Sequence, residues 1–223
     1  EETSAMKRLL LLLSLSLPFI FISSCSWFSS PPPTFCDTSC NTETITFTGT
    51  HQSNPTVKIS IANCNPDTLT WSYDGLGTNR KIGFSYLIGA SIKINKDFVR
   101  AQFNENKYAW VLFNDCLTGR GFQIKLPYDK ETPFSLKSSG INPMDPKFSI
   151  AEGLIVNTDR GNIFVEDAIE SKKAMMTFGQ KLDIDYDALH EHIDSVNVTR
   201  DRIWVRIKIG NDWIEKEKKI ILE

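Results

Sequence analysis

Residues 153–167 read GLIVNTDRGNIFVED, two apolar stretches separated by the polar turn DRG. Each stretch is rich in Ile, Val or Phe and is too short for a typical helix, a pattern characteristic of β-strands. Similar segments, bounded by Gly, Asn, Asp or Pro, recur throughout residues 43–223. The sequence therefore predicts a single all-β domain over residues 43–223.

The predicted strands fall into four groups, at residues 57–94, 98–138, 147–178 and 195–222. When the groups are aligned on Trp71, Trp110, Ile155 and Trp204, their spacings are 39, 45 and 49 residues. Repeats of roughly 40 to 50 residues with four strands each are typical of propeller blades. The last group has three strands, so a further strand at residues 44–48 is expected to complete it and to close a small four-bladed ring.

The third group has the most specific motifs. It opens with DPKFS at residues 145–149, continues with EGLIV at 152–156 and RGNIFVED at 160–167, and ends with KKAMMTFG at 172–179. Residues 145–179 resemble a TolB-type β-propeller repeat, although Glu152 and Ser171 stand where Asp and Gly are usual. The resemblance implies a four-stranded blade. The strand spacing leaves open an alternative fold of one or two antiparallel β-sandwiches.

One segment departs from the strand pattern. Residues 181–193, KLDIDYDALHEHI, place Tyr186, Leu189 and Ile193 three and four positions apart. Acidic residues precede this apolar face, as they do at many helix N-termini. We therefore expect a short helix near residues 183–193.

The N-terminal residues indicate export. Lys7 and Arg8 precede an apolar run at residues 9–22, which is of signal-peptide length and shorter than the roughly 20 residues of a spanning helix. The following ISSC, residues 22–25, resembles the bacterial lipobox. This resemblance implies cleavage after residue 24 and acylation of Cys25 with a diacylglyceryl group and palmitate-type chains. Residues 1–24 are thus interpreted as a signal peptide, with residues 1–5 as extra residues before Met6.

The segment after the signal peptide predicts a tether and two disulfides. Residues 25–42 include SWFSSPPPT, a Pro- and Ser-rich stretch that holds the chain extended. Four further cysteines, an even number in an exported chain, predict two disulfides with three open connectivities: Cys36, Cys40, Cys64 and Cys116. The net charge of -2 gives no electrostatic reason to expect nucleic-acid binding.

Two weak metal-ligand patterns lie in the predicted helix. Asp183, Asp185 and Asp187 alternate as in a calcium loop, with Glu191 and Asp194 at the ninth and twelfth positions. Ala188 stands where that loop needs Gly, which favours a solvated helix start. His190 and His192 would share a face on a strand but not on a helix. The sequence therefore predicts no bound metal and no cofactor.

Aromatic residues provide the remaining candidate ligand-binding surface. Trp71 and Tyr73 alternate on one predicted strand, and Tyr108 and Trp110 alternate on another. Such rings bind sugars or peptides when exposed and form the core when buried, and the core interpretation is favoured. The sequence contains no nucleophile elbow or phosphate loop and predicts no catalytic residue.

These features together predict a lipid-anchored protein of the bacterial cell envelope. Its expected location is the outer membrane, facing the periplasm, with the cell surface as the alternative. The membrane is reached through the lipid, and the β domain is expected to be a non-enzymatic binding or scaffold module for an envelope protein or a glycan. The alternative is an envelope hydrolase that acts on glycans with paired carboxylates.

Overall fold

The computed structural model describes residues 35–223 apart from residues 38 and 90. The predicted signal peptide, Cys25 and the Pro-rich part of the tether lie outside the described residues. The described chain is all-β, as predicted, with three sheets built almost entirely from antiparallel strands. None of its helices has the length and apolar character that a bilayer span requires.

The first sheet is a four-stranded meander. In spatial and chain order its strands are β1 (Ile45–Thr48), β2 (Thr56–Ala62), β3 (Asn65–Tyr73) and β4 (Thr78–Gly83). The prediction that residues 44–48 complete the last strand group is therefore wrong, because β1 pairs with β2. Two features favour this pairing. Ile45 of β1 is buried, and the disulfide between Cys40 and Cys64 holds the chain before β1 against the turn after β2.

The second sheet has seven strands and curls. Numbered along the chain, its strands are β5 (Val99–Asn104), β6 (Tyr108–Asn114), β7 (Gly121–Pro127), β8 (Ser135–Gly140), β10 (Leu154–Asp159), β11 (Asn162–Asp167) and β12 (Lys173–Met176). Their spatial order is β12-β11-β10-β8-β7-β6-β5. The hairpin of β10 and β11 matches the two strands predicted from residues 153–167.

The curled sheet joins the second and third predicted strand groups, so the described strands do not form four separate blades. The junction lies where Asn157 of β10 pairs with Gly140 of β8. The Ile141 N–H extends it by donating to the Val156 carbonyl over 2.8 Å. A Cβ on Gly121 would overlap the carbonyl oxygen of Gly140, so glycine permits the close approach of β7 and β8 here.

The third sheet combines the last three strands with a short strand from the third group. Its spatial order is β15 (Asp212–Lys219), β14 (Arg202–Ile209), β13 (Ile193–Val198) and β9 (Phe148–Ile150). β9 runs parallel to β13, with Phe148 opposite Val196. The resemblance to a propeller blade at residues 145–179 is thus not matched by a four-stranded sheet, because β9 leaves the group to join the C-terminal strands.

Four short helical segments interrupt the described strands, and two of them bear on the predictions. The strand predicted over residues 81–87 ends early, since β4 stops at Gly83 and a helix, α1 (Phe84–Ile88), follows. Phe84 and Leu87 lie on its buried face, and Gly89, at φ 71°, ends it. The helix predicted near residues 183–193 is present as a shorter 3₁₀ helix, Tyr186–Glu191.

The curled sheet contributes to three apolar clusters. Alternate residues of β6 and β7, including Val111 and Ile124, pack against the first sheet. Alternate residues of β10 and β11, including Val156 and Val165, pack against the third sheet. The opposite, concave face holds a smaller cluster of Tyr108, Trp110, Leu112, Ile155 and Ala168.

Two disulfides fasten the chain that precedes the first strand. Cys36 is bonded to Cys116 after β6, and Cys40 is bonded to Cys64. Phe35 strengthens the first attachment, because its N–H donates to the Cys116 carbonyl over 2.9 Å. The two predicted disulfides are confirmed, and their connectivity is one of the three left open by the sequence. The C-terminal part of the predicted tether is therefore held against the β domain.

Candidate functional site

A large cleft runs beside the outer edge of β5. Its volume is about 780 Å³. Residues 100–103 of β5 form one wall, and residues 150–154, Ile169 and Arg200 form the facing wall. Clefts of roughly 300 to 1,000 Å³ that combine apolar walls with a few polar groups are the usual form of ligand sites. The cleft is therefore the leading candidate for a binding site.

The curl of the second sheet creates this cleft. At one end of β5, the Asn104 side chain donates to the carbonyl of Ile169 in the turn after β11. The neighbouring Tyr108 hydroxyl lies 2.5 Å from the Ser171 hydroxyl in the same turn. These contacts bring the end of the edge strand against the turn, whereas Arg100 and Gln102 line the open part of the cleft.

Two charged side chains face the cleft without an opposite charge. Within the described part of the chain, neither Arg100 on β5 nor Glu152 on the facing wall forms an ion pair. The Arg100 guanidinium instead donates to the carbonyl of Val99 over 2.8 Å. Besides Arg200, which is paired with Asp167, the cleft thus offers a ligand one cation and one anion, on opposite walls.

Unused hydrogen-bonding groups lie behind the same wall. Gln102 and Trp110 are paired in register on β5 and β6. Within the described residues, Gln102 Oε1 and Trp110 Nε1 are buried and have no hydrogen-bond partner. A buried donor or acceptor without a partner typically destabilises a fold by about 1–3 kcal/mol. A ligand or water that reached these two atoms and bonded to them would therefore bind more tightly.

Asp167 holds the facing wall in shape. Its carboxylate accepts backbone N–H groups of Ile169 and Glu170, each over 2.8 Å, and is paired with the Arg200 guanidinium. Burial raises the pKa of Asp167, but the hydrogen bonds and the Arg200 charge lower it by more, so the pKa lies below its ordinary value. The carboxylate is therefore ionised and fixes the turn that lines the cleft.

This pKa shift predicts acid sensitivity. Because the folded pKa of Asp167 lies below the unfolded value of about 3.9, its contribution to stability is complete above that value and is lost as the pH falls through the folded pKa. We expect Asp167→Asn to reduce the loss of unfolding free energy between about pH 5 and pH 3, as measured by urea unfolding. Asp183→Asn, which alters an exposed carboxylate, should keep the wild-type slope. Equal slopes in all three proteins would contradict the prediction.

A second polar cluster lies on the concave face of the curled sheet. Glu166 Oε1 is 2.9 Å from Lys125 Nζ, and Glu166 Oε2 is 3.8 Å from Lys173 Nζ. Lys137 Nζ donates to Asn157 Oδ1 over 2.8 Å. Burial, opposed by Glu166 but assisted by the other two lysines, lowers the pKa of Lys137. One carboxylate thus balances three ammonium groups.

Removal of that carboxylate should destabilise the sheet. Glu166→Gln leaves the partly buried lysines unopposed, and we expect unfolding free energy to fall by about 2 kcal/mol. Lys173→Gln is the matched control, since the Lys173 side chain is 68% exposed and 3.8 Å from Glu166. Its expected effect is below about 0.5 kcal/mol. Urea unfolding at pH 7 measures both, and equal losses would contradict this role of Glu166.

The weak metal candidates are not brought together. Asp187 pairs with Arg120, and Asp185 accepts the N–H of Asp187 at the helix start. His190 lies 2.8 Å from the buried carboxylate of Asp145. Asp183 is exposed, and the His192 carbonyl accepts the N–H of Lys208. Within the described chain, no three His, Cys, Asp or Glu residues could hold a metal ion.

The aromatic candidates belong to the core and do not form an exposed platform. Trp71, Tyr73, Tyr108 and Trp110 are each at most 7% exposed. Trp71 Nε1 donates to the Pro127 carbonyl over 2.9 Å, which fastens the first sheet to the end of β7. Burial follows from their positions on strand faces that turn towards other elements.

The buried carboxylates have separate partners. Asp115 accepts the backbone N–H groups of Lys93 and Thr118, and Asp145 pairs with His190. Glu166 and Asp167 are adjacent on β11 and bond to different cations. The cleft beside β5 contains a single carboxylate, Glu152. Paired-carboxylate hydrolysis therefore finds no supporting geometry in this cleft.

The sequence patterns did not identify the cleft residues. Arg100 and Gln102 alternate with Val99, Ala101 and Phe103 in a recognisable strand. The pattern could indicate that two polar side chains share a face, but not that β5 lies at a sheet edge. Comparisons with protein-family models, with curated proteins and with solved structures found no match.

Proposed function

We propose that this chain is a lipid-anchored, non-enzymatic binding module of the bacterial cell envelope, with the cleft beside β5 as its ligand site. The ligand is an envelope protein or a glycan. The cleft itself carries the proposal, because it combines a volume of about 780 Å³ with Arg100 and Glu152 on opposite walls, neither of which forms an ion pair with a described residue. The residues that line it provide no nucleophile–base pair and no paired carboxylates.

The disulfides support an exported location. Structural disulfides persist in oxidising compartments and are rare in the cytosol. Both bonds attach the C-terminal part of the predicted tether to the β domain. We therefore interpret Cys25, the Pro-rich segment and the disulfide-fastened residues 35–42 as an anchor, a spacer and a rigid attachment.

We also propose an architecture of two β-sandwich-like units that share the curled sheet. The first sheet packs on the β5–β7 half, and the third sheet packs on the β10–β12 half. This arrangement supports a binding role, because a rigid shared sheet positions the two walls of the cleft.

Mass spectrometry tests the proposed anchor. In a bacterial host, the membrane-extracted protein should begin at Cys25 and carry the mass of diacylglyceryl and acyl groups. Cys25→Ser should abolish lipidation and release the protein from the membrane fraction. A wild-type protein cleaved elsewhere and free of lipid would contradict the anchor.

Site-specific photo-crosslinking tests the proposed ligand site. A benzophenone side chain replaces Gln102 in the cleft or, as the control, the exposed Lys58 on β2. Irradiation of cells from the source bacterium should give a discrete protein or saccharide adduct from position 102 and none from position 58. Absence of adducts at position 102, or the same adducts at both, would contradict the cleft as the ligand site.

A further inference from the structure

We propose that the cleft takes an extended polypeptide segment of a partner protein, which pairs as an added strand with the free edge of β5. This inference rests on the proposed function, because it assigns a ligand class to the same cleft. Strand addition to an exposed sheet edge gives affinity through main-chain hydrogen bonds, while flanking side chains determine specificity.

The backbone of β5 has groups available for such pairing. In an antiparallel ladder, alternate residues direct both backbone groups towards the neighbouring strand, and the others direct them away. The Val99 carbonyl accepts the Arg100 guanidinium, which indicates that Val99, Ala101 and Phe103 face outwards. Beyond the ladder with β6, no other hydrogen bond to the backbone of Ala101 or Phe103 occurs in the described chain.

The edges of β12 and β15 are covered or charged, whereas on the edge of β5 the described residues cover the Val99 carbonyl alone, through Arg100. Lys173 of β12 exchanges backbone hydrogen bonds with Glu223, over 2.8 and 3.1 Å. β15 carries a charged sequence, and its Lys216 and Lys218 side chains donate to the carbonyls of Thr177 and Met175. Proteins commonly protect sheet edges in these ways. The outward-facing groups of Ala101 and Phe103 instead border an open cleft.

The shape of the cleft favours a single extended chain. The six residues of β5 span about 20 Å at roughly 3.3 Å per residue. The wall of residues 150–154 and Ile169 faces this edge, so an occupant must fit between the two walls. A second folded copy fits this space less well, because its own sheet and its own facing wall would also have to enter it.

The charges specify the chemistry of the peptide further. Arg100 has no carboxylate partner within the described residues, so an acidic side chain or C-terminal carboxylate opposite it would form a charge-assisted bond. Glu152 on the facing wall would accept a hydrogen bond from a basic or amide side chain of the peptide. The expected ligand is therefore an extended segment with an acidic group beside Arg100.

The first probe is a display library of random 12-residue peptides, screened in parallel with an array of neutral and acidic glycans. The complete mature protein should enrich peptides that contain Asp or Glu and should not bind the glycans.

Ala101→Pro removes one outward N–H without breaking the ladder to β6, and it should lower peptide affinity about tenfold. Ala101→Thr keeps the N–H and should bind as wild type. Arg100→Ala should weaken binding about three- to tenfold.

N-methylation of the enriched peptide provides a test that does not depend on folding of a variant. Strand pairing predicts that N-methyl groups at every second position abolish binding, whereas those at intervening positions have little effect. Uniform tolerance of N-methylation would overturn the inference.

In the library screen, glycan binding without peptide binding would overturn the inference and preserve the proposed function. Absence of both glycan binding and peptide binding would contradict the proposed function too. Dimerisation lost in Ala101→Pro would assign the edge to a second copy and overturn the inference.

Discussion

Removal of the Cys36–Cys116 disulfide by the double substitution Cys36→Ala and Cys116→Ala is expected to lower unfolding free energy by about 4.5 kcal/mol. The bond joins residues 80 positions apart, so its loss restores much conformational freedom to the unfolded chain. Cys116 is also fully buried, at 0% exposure. Urea unfolding of the mature protein measures the effect.

The second disulfide is the matched comparison. Cys40 and Cys64 are 24 positions apart, and the same chain-entropy relation gives a loss of about 3.5 kcal/mol for Cys40→Ala with Cys64→Ala. We therefore expect the Cys36–Cys116 variant to be the less stable by about 1 kcal/mol. A loss below about 1 kcal/mol for the Cys36–Cys116 variant would contradict its role as the main cross-link.

Trp110→Ala should destabilise the protein by about 3–5 kcal/mol. Trp110 is 1% exposed and packs in the concave cluster with Leu112 and Ile155. The Lys125 ammonium also lies 5.2 Å from its ring centroid. Truncation therefore removes a large buried side chain from the sheet that positions both walls of the cleft. Thermal and urea unfolding measure the loss.

Trp213→Ala is the control for this prediction. Trp213 lies on β15 and is 39% exposed, so its truncation should cost less than about 1 kcal/mol. Similar losses for the two variants would contradict the assignment of Trp110 to the core. Loss of ligand binding by Trp110→Ala with full stability would restore the interpretation of this ring as an exposed platform.

Local patterns predicted the strands well, because a strand that buries alternate side chains has apolar residues at alternate positions of its sequence. The hairpin of β10 and β11 is the clearest case, since its apolar residues flank a polar turn at Arg160 and Gly161. The burial of Leu189 in the short helix was likewise visible from its spacing, although Ile193, predicted on the same helix face, begins β13 instead. These features depend on contacts between residues close in the chain.

Sheet membership could not be predicted in the same way. The pairing of Gly140 with Asn157 joins two strand groups, and the close approach of β7 and β8 beside it depends on the absence of a Cβ at Gly121. The parallel pairing of β9 with β13 brings together Phe148 and Val196, 48 positions apart by their residue numbers. Neither contact changes local hydrophobic periodicity, so a regular repeat of strands was compatible with several topologies.

The candidate site could not be predicted from the sequence for a related reason. The sequence of the strand containing Arg100 and Gln102 does not show that it lies at a sheet edge, and it is an edge strand because no described strand pairs beyond it. The facing wall comes from the turns around Glu152 and Ile169, which lie about 50 to 70 residues further along the chain. Only the curl of the sheet brings these segments together.

Hydrogen exchange of individual backbone amides, followed by NMR in the unliganded mature protein, determines whether the edge of β5 is open. The amides of Ala101 and Phe103 should exchange at least about 100-fold faster than those of Arg100 and Gln102, which face β6. Equal, strong protection at all four positions would show that the outward groups are already bonded. The edge would then be closed, and the cleft could not bind a strand along β5.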